Sequence, residues 1–182
     1  MNHDDNRHRG NSIRLKGYDY RAAGYYFVTI CTYKWQCIFG DIIEGEMRLN
    51  EFGKIVHRCW NEIPIHFEHT ELDYFVIMPN HFHGIIIINR SGTACRATTE
   101  ERQFGKSIAG ALSTIIGSFK SAVTRSTNIL RKTPGTTVWQ RNFYDRIIRN
   151  DKELFNIRQY IINNPLKWEL EREKPRNWEP DI

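Results

Sequence analysis

The 182-residue sequence predicts an α+β fold, an antiparallel sheet with helices packed on it, and three observations carry that prediction. Short runs of β-branched and aromatic residues are interspersed with longer segments of helical spacing. The order is strand, hairpin, helix, two strands, helix, strand, helix, with no repeat, as in ferredoxin-like folds. The two strand candidates ELDYFVIM and HFHGIIII are separated only by Pro79 and Asn80, a turn signal that pairs them antiparallel.

Each element follows from its residues. YYFVTICTY, residues 25–33, is rich in aromatic and β-branched side chains and reads as a central strand. CIFGDIIEGEMRLN then gives a short strand and a turn at Glu44, Gly45 and Glu46, hence a hairpin. From Asn50, the apolar positions Phe52, Ile55, Val56, Cys59, Trp60 and Ile63 have the spacing of an amphipathic helix, and Pro64 should close it. Beyond the paired strands, residues 89–105 are small, polar and basic and read as a mobile loop. From Lys106 to Leu130, Ile108, Leu112, Ile115, Ile116, Phe119 and Val123 share one helical face, and Lys120 and Arg125 lie on the other. TPGTT breaks the chain before VWQRNFYDRIIR, which is extended. Asn150, with Glu153 three residues on, opens a last helix in the manner of a capping box. Leu154, Ile157 and Ile161 form its buried stripe, and Pro165 should end it.

The length suits one domain, placed at 17–171, with a flexible arm over 1–16 and a tail over 172–182. With 40% apolar and 13% aromatic residues the chain can bury a core, which excludes wholesale disorder. Lys and Arg number 26 against 21 Asp and Glu, a net charge of +5 that permits a phosphate-bearing partner. Cys31, Cys37, Cys59 and Cys95 form no CxxC pair, so neither a zinc knuckle nor a redox motif is present and free thiols in a reducing cytoplasm are expected. The polar start MNHDDNRHRGNS is not a secretory signal, and no apolar run approaches the roughly 20 residues of a membrane helix. A soluble cytoplasmic protein with no membrane partner is the expectation.

VIMPNHFHGIIII carries the chemistry. Residues two apart on a strand face the same side, so His81 and His83 project together while Phe82 points the other way into packing. Two neutral imidazoles side by side are half of a metal site; an HxH alone is also compatible with two satisfied structural histidines. QYIINNP supplies what can converge on them. On a helix Tyr160 and Asn164 are i and i+4, so the Asn164 amide can serve as a third ligand with the Tyr160 phenol beside the ion. Pro165 disfavours helical geometry at Asn164, so the site requires Asn164 to be the last residue of the turn.

Together MPNHFHGIIII, GSFKSAVTR, VWQRNFYDRIIRN and YIINNPLKWELE resemble the single-tyrosine HUH transposases of the IS200/IS605 type, most closely the REP-associated tyrosine transposases. The likeness runs from about Gly17 to Glu171, in four blocks in order. It implies a ferredoxin- or RRM-like HUH nuclease fold with the histidines on a central strand. It further implies His81, His83 and Asn164 as ligands of Mg²⁺ or Mn²⁺ and Tyr160 as the nucleophile. The activity implied is cleavage and rejoining of single-stranded DNA beside a REP-type hairpin, through a 5′-phosphotyrosine. Relatives work as monomers or as homodimers that exchange their tyrosine helices.

The residue types fit such chemistry. A phenol with an ordinary pKa of about 10 is a weak nucleophile at neutral pH, and a divalent ion that polarises the phosphate answers that weakness. Nitrogen ligands with an amide oxygen suit Mn²⁺ somewhat better than Mg²⁺ and leave zinc open. No GxxxxGK[ST] loop is present, which suits a reaction that needs no ATP. Lys120, Arg125, Arg131, Lys132 and Arg141 are candidates for phosphate contact and Trp139 or Tyr144 for base stacking. Tyr144 ranks below Tyr160 as nucleophile because no ligand-type residue follows one turn later. Two rivals remain at this level: a hairpin-binding module that no longer cuts, and a zinc hydrolase drawing a general base from Asp73 or Glu71.

Overall fold

The computed structural model describes residues 19–89 and 111–172. The arm over 1–16, residues 90–105 of the predicted loop and residues 173–182 of the predicted tail lie outside them. Strands β1 (Gly24–Cys31), β4 (Thr70–Ile77), β5 (His81–Ile88) and β6 (Tyr144–Ile148) form one antiparallel sheet in the order β4-β5-β1-β6. β2 (Gly40–Ile43) and β3 (Glu46–Leu49) make the predicted separate hairpin, with Glu44 and Gly45 both at positive φ. Helices α1 (Glu51–Asn61), α2 (Ile63–His66), α3 (Leu112–Leu130) and α4 (Asp151–Arg172) complete the order. No described helix is long and apolar enough to cross a membrane. Among the described cysteines, Cys31, Cys37 and Cys59 are free thiols.

Alternation along the two central strands divides the molecule into two cores. Tyr26, Val28 and Ile30 of β1 and Phe82, Ile86 and Ile88 of β5 join Val56 and Trp60 of α1 and Ile115, Ile116 and Phe119 of α3. The intervening residues Phe27 and Ile85 face the opposite side with Ile148, and there Ile161, Leu154 and Ile157 of α4 cover them. His83 lies in register between Thr29 and Val76, on the α4 face. This division is the period-2 pattern of a sheet buried on both faces.

The helix boundaries differ from the sequence expectation at both prolines. α1 opens on Asn50, whose Oδ1 accepts from the amides of Phe52 and Gly53 at 2.9 and 3.0 Å. It ends at Asn61, and Pro64 sits in the first turn of α2, where its missing N–H leaves no bond unmade. Pro165 does not end α4, which continues to Arg172. Packing on both sides of the proline explains the continuity. Ile161 is buried against the sheet before it, and Leu166 after it lies against Gly45 of the hairpin turn. At the other end, Asn150 Oδ1 accepts from the Glu153 amide at 2.9 Å, while the Glu153 carboxylate turns back to the Arg149 amide at 2.9 Å. The predicted start of the third helix, residues 106–110, lies outside the described residues.

One polar tie fixes α4 laterally. Arg158 donates from Nε and Nη2 to Asp73 Oδ2 at 3.0 and 2.6 Å, and its guanidinium lies 5.4 Å from the centre of the Tyr74 ring. Asp73 sits where the β4-β5 register shifts between Leu72 and Phe75, so the irregularity in the strand is what offers its carboxylate to the helix.

Candidate active site

His81 and His83 occupy the start of β5 with their ring centres 4.6 Å apart and their planes nearly perpendicular. His83 is buried, stacked on Phe27 at 5.4 Å, and its Nδ1 lies 2.8 Å from Thr29 Oγ1 on the neighbouring strand. His81 Nδ1 lies 2.7 Å from Asn80 Oδ1, an oxygen that can only accept, so the proton belongs on Nδ1. With the His83 proton assigned likewise to Nδ1, toward Thr29, both Nε2 lone pairs are left for a further partner. α4 brings that partner. Tyr160 Oη lies 3.3 Å from His83 Nε2, its ring set edge-on to both His83 and Phe27. Tyr160 is nevertheless 43% exposed, so the phenol is open to a substrate.

Asn164, one turn further on, is buried, and its amide faces the His81 ring. That amide favours the protonated imidazole, as expected when it turns its oxygen toward the ring. Trp168 follows one turn later, with its ring 5.7 Å from that of His81. The requirement that Asn164 close the helix falls away, because α4 carries Asn164 through Pro165 in helical form.

Burial governs the charge of the pair. Desolvation lowers His81 from 6.5 to about 4, opposed in part by the Asn164 amide; desolvation and then the neighbouring His81 lower His83 to about 3. Both rings are therefore neutral near pH 7, the state in which imidazole binds metal. A stability consequence follows. The unfolded chain takes up these protons near pH 6.5, the folded chain only near 4 and 3, so the unfolded state binds more protons in between. Stability is full above pH 6.5 and is lost as the pH falls toward those folded values. Thermal unfolding of metal-free protein is expected to show a melting temperature that drops steadily below about pH 6.5, less steeply in His83→Asn. A melting temperature independent of pH in that window would contradict the burial of the rings.

The rivals and the predicted DNA contacts also have places. Asp73 is held by Arg158, and Glu71 accepts from Asn89 Nδ2 at 2.6 Å, so both carboxylates named for a hydrolase are engaged elsewhere. No group of three or more His, Cys, Asp or Glu that could hold a metal occurs among the described residues. Tyr144 lies in one row with Thr29 and His83, two strands from the histidine, at about 10 Å by ordinary strand spacing. Lys120 and Trp139 serve the fold, contrary to their reading as DNA contacts. Lys120 Nζ donates to the carbonyls of Gln140, Arg141 and Asn142 at 2.6, 3.1 and 3.2 Å, and burial lowers it to about 8. Trp139 is buried between Phe39 and Phe119, where no base can reach its face. Arg131 is engaged by Asn128 Oδ1 and the Thr136 carbonyl. Arg125 and Arg141 line a shallow groove between α3 and the chain around Thr136, and Lys132 is exposed at positive φ just beyond α3.

The sequence reading missed Thr29, Asn80, Phe27 and Trp168. Asn80 had a signal, its position immediately before the first histidine. Thr29 had none, because its partnership with His83 depends on a strand register 54 residues apart.

Comparison with known proteins agrees with this architecture. A solved structure of a REP-associated tyrosine transposase bound to a REP hairpin matches with a TM-score of 0.58 at 17% identity, covering 92% of each chain. The chain thus has the fold of the REP-associated tyrosine transposases, with two strand histidines and a helix tyrosine on one face of the sheet. No family model matches it. It belongs to one family with an uncharacterized protein of Haemophilus influenzae (strain ATCC 51907 / DSM 11121 / KW20 / Rd), to which it is 41% identical over 169 residues, 91% of this chain and 93% of that one.

Proposed function

We propose that the protein is a metal-dependent endonuclease and strand transferase that acts on single-stranded DNA beside a hairpin, with Tyr160 as nucleophile. One observation carries the reading: the exposed phenol of Tyr160 lies 3.3 Å from His83 Nε2 while the buried Asn164 on the next turn faces His81. A module that only binds DNA has no use for that set.

The donors fit a divalent ion. Thr29 and Asn80 occupy both Nδ1 atoms, burial keeps the rings neutral, and Asn164 adds an amide oxygen. His81, His83 and Asn164 would hold Mn²⁺ or Mg²⁺, which when bound supplies charge to polarise the scissile phosphate. Tyr160 Oη attacks phosphorus, and an oxygen–phosphorus bond forms as the bond to the 3′ oxygen breaks. The phenolic proton passes to solvent and the departing 3′ oxygen takes up a proton from solvent, which leaves a free 3′-hydroxyl and a 5′-phosphotyrosine on the enzyme. The reverse attack by another 3′-hydroxyl rejoins strands. Phe27, edge-on to the Tyr160 ring, and the Arg158–Asp73 pair half a turn earlier hold the phenol beside His83.

The test incubates the protein with end-labelled single-stranded hairpin oligonucleotides from around its own gene, with Mn²⁺, Mg²⁺ or a chelator, and resolves it on denaturing protein gels. A label retained on the protein only with metal, and recovered as phosphotyrosine, is the expected result. Binding without any adduct under either metal would sink the nuclease reading in favour of a binding module.

A further inference from the structure

Between β1 and β2 the chain makes a turn that the chemistry described so far does not use. Lys34 and Trp35 both have left-handed backbones, φ 53° and 57°, inside a single 3-10 turn from Tyr33 to Trp35. Two consecutive non-glycine residues in that region are costly, and such strain persists where surrounding structure over-determines it, often at ligand clamps. Here the surrounding structure is the Pro79-Asn80 turn that leads into His81. The Thr32 amide and hydroxyl both donate to the Asn80 carbonyl at 2.9 Å, and the amides of Ile38 and Phe39 donate to the Pro79 carbonyl at 2.9 and 3.2 Å. Asn80 Nδ2 donates to the Trp35 carbonyl at 3.3 Å, while Asn80 Oδ1 holds His81.

The turn displays what a folded protein ordinarily hides. Trp35 is 58% and Tyr33 43% exposed, and the Lys34 ammonium lies 5.4 Å from the Tyr33 ring centre. Among the described residues Trp35 packs on no other ring. Large flat faces with an adjacent cation, presented by a pinned turn that starts two residues beyond Cys31, the register partner of His81, match the chemistry of an unpaired nucleobase and its phosphate.

We infer that the Tyr33–Trp35 turn is a stacking platform for an unpaired base of the DNA strand, and that Asn80 fixes this platform relative to His81. The inference rests on the proposed single-stranded DNA substrate. It assigns Trp35 and Tyr33 to substrate binding, Lys34 to the neighbouring phosphate, and Asn80 to positioning.

Stacking recognises bases irrespective of sequence, so the unknown target does not prevent a test. The probes are a short deoxythymidine oligonucleotide and its abasic counterpart, which carries the same phosphates without bases, measured at one salt concentration against full-length protein, Trp35→Ala, Trp35→Phe and Tyr33→Ala. Wild type is expected to bind the deoxythymidine strand more tightly than the abasic one. Trp35→Ala should weaken the base-bearing strand by about 5- to 100-fold and erase the preference, with abasic binding unchanged and Trp35→Phe largely restored. The inference is overturned if Trp35→Ala keeps the wild-type preference, or if both strands weaken equally. Adduct formation by wild type on hairpin oligonucleotides is read separately. If it fails while the base preference depends on Trp35, the nuclease reading is lost and the platform stands; if it succeeds while the preference ignores Trp35, the platform alone is lost.

Discussion

Tyr160→Phe is expected to lower formation of the protein–DNA adduct by at least about a thousandfold, since removal of a nucleophile leaves only the contributions of binding and polarisation. The substitution deletes one oxygen and keeps the ring, so the edge-on contacts with Phe27 and His83 survive. The hydrogen bond lost is long, 3.3 Å, and belongs to a half-exposed side chain. Folding and hairpin affinity should therefore stay close to wild type, within roughly twofold. Tyr144→Phe is the paired control. Tyr144 shares the row of His83 but sits two strands away, and its variant should form adduct at the wild-type rate. Adduct retained by Tyr160→Phe and lost by Tyr144→Phe would move the nucleophile from α4 to β6.

Gly84→Ala should destabilise the protein by about 1–3 kcal/mol, the usual cost of forcing an extra carbon into a packed core. A Cβ at Gly84 would stand 2.7 Å from Trp60 Cζ2 and 2.8 Å from Phe82 Cε1. Neither ring can swing aside. Both are fully buried, and Trp60 packs on Phe75, Phe82 and Phe119 at once. For a domain of this size the melting temperature should fall by about 2–4 °C per kcal/mol, visible by circular dichroism. A variant that melts with wild type would show that α1 does not press its tryptophan against β5 at this point. Because Gly84 follows His83 directly, any shift of β5 that relieves the clash also displaces the two histidines.

Most of the fold was legible because period and punctuation agreed. The alternation of HFHGIIII placed Phe82 and the histidines on opposite faces, Glu44 and Gly45 marked the hairpin, and the Ile115, Ile116 and Phe119 stripe marked α3. The prolines misled because their local cost was judged without tertiary context. At Pro165 the contacts of Ile161 and Leu166 outweigh one missing backbone bond, so α4 runs on and carries Trp168 to His81. The site divides in the same way. His81, His83, Tyr160 and Asn164 could be singled out by spacing, since each pair lies on one element. Thr29 and Asn80 depend on pairing between distant segments; residue type alone could not decide between a base-stacking and a core role for Trp139, nor reveal that Lys120 is tied to three backbone carbonyls.

The helix that brings the tyrosine is also what covers the second core. Without α4, the sheet would present Phe27, Ile85 and Ile148 to water, and these are the same residues on which Ile161 settles one position after Tyr160. The histidines are made early in synthesis and the tyrosine 77 residues after His83. A nascent or truncated polypeptide that lacks Tyr160 is therefore also one with a bare apolar sheet face, open to chaperones and proteases. Completion of the proposed site and completeness of the folded body arrive together, so quality control acting on exposed apolar surface also clears chains in which that site is unfinished.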